Sequence, residues 1–322
     1  MTRPTVQMLQ HYGYALAALR SSLNNRGSIA APETLCALYL IVILQGWLQQ
    51  EDGNFSGHGE AIAMILSAMK QHQTAWGEFE HGIVKTLSFL VIMESLVNPR
   101  IQLDQHLRRM TDPEPLSAAK AHPQAISCLD NNSLVDISTY LRDPYTHYSS
   151  LVEAYDRVRV DRANFAALIA SIPVVPSADG RILQPPSQQL CFVHLRYQTG
   201  YATLTLIAIR IAVVLARIPR SYSSLTSARD LQLSSDLRIY VNDLVTVAEQ
   251  AVQYYPLGSS FMPLCLLAAY ATQISVGDSL QQRGRIMRLF AQYRPGVDFE
   301  REWLRIKDIR DGPDVYGYTV LL

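Results

Sequence analysis

The densest group of residues able to do chemistry in this chain is His194, Arg196, Tyr197 and Tyr201. His194, Tyr197 and Tyr201 follow one another at steps of three and four, which puts an imidazole and two phenols on one helix face. Lining a cavity, such a face suits proton transfer or the binding of an oxygenated apolar ligand. The same spacing also describes an aromatic packing stripe whose hydroxyls reach backbone carbonyls. Glu94, among Leu90, Val91 and Leu96, reads either as a buried carboxylate with a raised pKa or as the partner of a buried arginine such as Arg210. His58 stands between Gly57 and Gly59, where it caps a helix, contacts a ligand or simply lies in a tight turn. Acid–base chemistry would therefore draw on His194, Tyr197 and Glu94. A ligand site would draw on Trp47, His58, His194, Tyr197, Tyr201 and Arg210.

Other reactive types are scattered. Cys36, Cys128, Cys191 and Cys265 form no CxxC pair and no dense disulfide framework, so they read as reduced, mostly buried thiols. Cys191 and Cys265 have no base beside them in sequence and read as inert core thiols. His106, His122 and His147 lack metal-ligand spacing, and glycine-rich nucleotide loops are absent, so the sequence calls for neither a metal nor a cofactor.

The elements that must position these groups are helices. Val6, Leu9, Tyr12, Leu16, Leu19 and Leu23 recur at three- and four-residue steps, predicting an amphipathic helix over 5–23. Pro32-Glu33 opens a second helix, predicted to reach about residue 50 and apolar nearly all round over 35–48. Further helices are predicted over 56–71 and 78–97, with Asn98-Pro99 as a stop. Residues 101–132 turn polar and proline-broken, predicting an irregular loop. Helices return at 133–141 and 144–170, the second begun at Asp143-Pro144. The stretch 173–188 holds four prolines and reads as a linker or lid. Beyond it lie helices over 189–218, 230–254, 260–275, 278–292 and 298–308, and an apolar tail at 316–322 expected to dock. No strand alternation persists, so the fold expected is all-α, one large multi-helix domain over 1–322.

With 48% hydrophobic residues the 322-residue chain has ample material for a core. Lysine plus arginine and aspartate plus glutamate both number 28, so no net positive field draws it onto nucleic acid. Arg196, Arg210 and Arg217 argue against a membrane span over 189–218, since each charge at bilayer depth costs a few kcal/mol. The N-terminus shows no uninterrupted apolar signal region, which implies an intracellular chain.

The run TLCALYLIVILQGWL, a glycine-containing break and HGEAIAMIL resemble the core of the fungal-specific regulatory domain that follows the Zn2Cys6 cluster in fungal transcription factors. That family has a helix close to "L..LYE", then a tryptophan, then an "H..GA..LL" helix; here Leu38-Tyr39, Trp47, His58-Gly59, Ala61 and Ile65-Leu66 match. The run 255–264, with Pro256-Leu257-Gly258, resembles its "PLG.SY.P.PL" turn, and Phe299 and Trp303 its terminal "DF....W". The likeness spans about 11–304. It departs in one respect: the family's DNA-binding module needs six clustered cysteines, and only Cys36 precedes residue 128. The resemblance implies a nuclear regulator or co-regulator of a fungal pathway, secondary metabolism included. It would sense an apolar small molecule, or bind a partner transcription factor or a second copy, without touching DNA. The alternative is a cytoplasmic biosynthetic enzyme of the cyclase, isomerase or dehydratase type, or a ligand carrier, built on the same scaffold.

Overall fold

Local sequence signals set most helix starts. The Thr5 hydroxyl accepts from the Met8 amide (3.2 Å) and opens α1, Val6–Asn24. Pro32 begins α2, Pro32–Trp47, where its missing N–H costs nothing and Glu33 lies at the positive end of the helix dipole. Then come α3, Gly57–Ala68, and α4, Glu78–Ser95. Asp130 accepts from the Ser133 amide (3.0 Å) to open α5, Asn131–Arg142, and α6 is Tyr148–Ala170. Ser187 accepts from the Leu190 amide (3.3 Å) at the start of α7, Gln188–Leu215. Next come α8, Ser227–Ala251, with a 3-10 turn Val252–Tyr254, α9, Met262–Val276, and α10, Leu280–Tyr293. This computed structural model describes residues 5–25, 27–29, 31–47, 57–69, 77–96, 101, 103, 126–176, 183–218, 227–254, 259, 261–276, 280–301 and 303. The break after Trp47, the Asn98-Pro99 stop, most of the loop 101–125, the Tyr255-Pro256-Leu257-Gly258 turn and the tail 316–322 lie outside them.

The fold is all-α. Among the described residues its one departure is a two-residue antiparallel pair within the proline-rich stretch, Val175 opposite Gln184 and Pro176 opposite Leu183. Helix α6 starts four residues later than the sequence predicts. The cause is Asp143, whose carboxylate accepts from the Thr146 amide (3.2 Å) and holds 144–147 as a turn before the helix can begin.

The chain divides into two compact units, Met1–Ser117 and Ala118–Leu322. The boundary falls within the stretch that the sequence marks as irregular. In the first unit Leu35, Leu38 and Ile41 of α2 pack with Ile62 and Leu66 of α3, Val84, Leu87 and Val91 of α4, and Tyr12 and Leu19 of α1. Each fully buried aliphatic side chain contributes roughly 1.5–3 kcal/mol.

In the second unit α7 is central, packed by α6, α8 and α9. Every residue from Tyr201 to Leu215 is buried, which explains why this segment is apolar all round rather than striped. Among the described residues α7 is long and apolar enough to cross a membrane; here 83% of that apolar window is buried inside the protein. Gly200 lets α6 approach, since a Cβ there would lie 2.4 Å from the Phe165 ring. Asp161 of α6 is 4% exposed and accepts from the backbone amides of Ser127 (2.8 Å) and Cys128 (2.7 Å), pinning the segment that leads into α5. At the C-terminal end Tyr270, Phe290, Phe299 and Trp303 stack edge-on, with ring centroids 4.7–5.6 Å apart.

Candidate functional site

Two helix faces in the second unit repeat one spacing. Tyr155, Arg159 and Arg162 on α6 stand at i, i+4 and i+7, and so do Asp236, Tyr240 and Asp243 on α8. Each set therefore forms a single stripe, one carrying two guanidiniums and the other two carboxylates. Arg162 pairs through Nη2 with Asp243, while its Nε donates to the Thr205 hydroxyl on α7 at 3.2 Å. Its guanidinium also lies over the Tyr240 ring at 4.3 Å and the Tyr201 ring at 5.1 Å. Thr205 in turn donates to the Tyr201 carbonyl (2.7 Å), which leaves its oxygen free to accept. Arg159 reaches Asp236 at 3.4 Å.

The phenols complete this network. Tyr201 donates to Asp243 (2.9 Å) and Tyr155 to Asp236 (2.9 Å). The Tyr240 hydroxyl lies 3.3 Å from that of Tyr155, and because the Tyr155 proton is already on Asp236, Tyr240 is the donor in this contact. Burial raises the pKa of all three phenols, and Tyr240 and then Asp236 push Tyr155 further in the same direction. Phenols so held stay protonated, so they orient charges and do not act as bases. Two cations against two anions leave the cluster formally neutral, which is the condition for placing charges at a helix junction. The network ties α6, α7 and α8 in one register.

The outer end of α7 carries a second polar group. His194, 5% exposed, has its Nδ1 3.0 Å from the Tyr254 hydroxyl on the 3-10 turn. Burial lowers the His194 pKa and so favours the neutral ring. Burial, with the neighbouring Cys191 thiol, pushes Tyr254 up to about 12. Cys191 is half-buried and its Sγ lies 3.7 Å from the Pro185 carbonyl oxygen. Gln198, fully buried, donates from Nε2 to Gln250 (3.0 Å), while its Oε1 meets no donor.

The residues singled out from sequence are thus distributed. His194 and Tyr201 each have a defined partner, but different ones, Tyr254 and Asp243. Tyr197 packs edge-on against Phe165, with centroids 6.2 Å apart, as a packing stripe would. Arg210 lies in the buried length of α7 at 7% exposure. Glu94 belongs to the first unit, where its carboxylate accepts from the Gly59 amide (3.0 Å) in the first turn of α3. His58 is within that first helical turn rather than a turn preceding it; Trp47 closes α2, and the side chains of both lie outside the described residues.

Sequence reading passed over Tyr155, Arg162, Asp236, Tyr240 and Asp243, although the matched stripes of opposite charge were a usable signal. All four cysteines are free, Cys128 and Cys265 buried and Cys36 and Cys191 half-buried. Among the described residues no group of three histidine, cysteine or acidic side chains is placed to hold a metal. No protein-family model matches the chain, and neither a curated protein nor a solved structure matches it.

Proposed function

We propose that this chain is a helical regulatory or co-regulatory protein that senses a small molecule or binds a partner transcription factor, without itself contacting DNA. The observation that carries the reading is the ordered series Leu38-Tyr39, Trp47, His58-Gly59, Phe299 and Trp303, the likeness to the regulatory domain of zinc-cluster factors. The α6–α7–α8 junction fits it: an interlocked neutral network holds three helices in one arrangement, as a scaffold needs, and its phenols do not turn over protons. The equal numbers of basic and acidic residues fit a protein that works through partners rather than phosphates. Deleting the gene in its host and profiling transcripts tests this. A coherent set of transcripts should change and the tagged protein should enter the nucleus. An unaltered profile would overturn the reading.

A second reading, a biosynthetic enzyme or carrier for an apolar intermediate, is favoured by one observation, the neutral His194 bonded to Tyr254 at the outer end of α7. Purified protein should then convert or retain an apolar intermediate, and loss of that activity in His194→Gln would separate it from passive binding.

A further inference from the structure

We draw no further inference here: the strongest candidate, the exposed apolar side of α1 formed by Val6, Leu9 and Leu16, supports no proposal because nothing in the structure shows what covers it.

Discussion

The two units handle half-buried carboxylates differently. In the first, Glu94 faces the first turn of α3 and accepts the Gly59 amide, at the partial positive end of that helix. In the second, Asp236 and Asp243 face full guanidinium charges and phenols drawn from two other helices. The first arrangement is close-range: it requires a glycine, since a Cβ at Gly59 would lie 2.3 Å from Glu94 Oε2 and 2.8 Å from Ile101 Cδ1. The second depends on long side chains reaching across a junction, and it tolerates no missing partner. A carboxylate capped by backbone fixes one helix start. A carboxylate matched by arginine fixes the register of several helices.

The sharpest way to break this contrast is Arg162→Met, which leaves Asp243 without its cation while keeping apolar bulk. Asp243 retains 31% side-chain exposure, which softens the cost, and urea unfolding should show a loss of about 3 kcal/mol. Replacing both partners by apolar residues should recover most of it; if the double variant is as unstable as the single one, the pair is not what ties the junction. Next in size is Gly200→Ala, whose Cβ would press on the Phe165 ring, at about 2 kcal/mol, with Phe165→Leu relieving it in the same background. Gly59→Ala should cost roughly 1–2 kcal/mol, because Glu94 must swing off the amide it caps. An equal cost for Gly59→Ala in a Glu94→Gln background would mean Ile101, not the carboxylate, sets the demand for glycine. Tyr155→Phe should lose about 1 kcal/mol, the charge-assisted hydrogen bond donated to Asp236 together with the long one accepted from Tyr240, in a network that keeps its ion pairs.

The smallest effect lies at His194 and is visible only as a slope. Burial lowers its folded pKa, so above the unfolded value, about 6.5, the ring is neutral in both states and stability is unaffected by pH. As pH falls below that value the unfolded chain takes up the proton first, and stability declines until the folded value is passed. Denaturation midpoints compared between neutral and mildly acid buffer should show this decline, and His194→Gln should flatten it.

Much of the helical layout was legible because it is local. Period and proline placement gave the start of α2, the acidic first turn and apolar period gave α4 from Glu78, and the apolar run beyond Tyr201 marked α7 as a buried helix. The start of α6 was missed because one aspartate side chain, Asp143, outbid the helix for a backbone amide. The candidate site was legible only in part. His194 and Tyr201 were picked out by spacing, but spacing on one helix names a face and not its occupant: His194 turned out to meet Tyr254, Tyr197 a phenylalanine ring, and Tyr201 an aspartate on another helix.

What the sequence determined by itself is therefore the class of fold, the helix order and which faces are apolar, since these follow from side chains a few positions apart. Tertiary structure decided which stripe meets which. Tyr155, Arg159 and Arg162 oppose Asp236, Tyr240 and Asp243 only because α7 draws α6 and α8 together around its apolar length. Charges that read as two ordinary polar helix faces become one neutral junction. The reason is physical: a helix repeats its faces every few residues, whereas the pairing of faces from distant helices depends on the packing of the whole core.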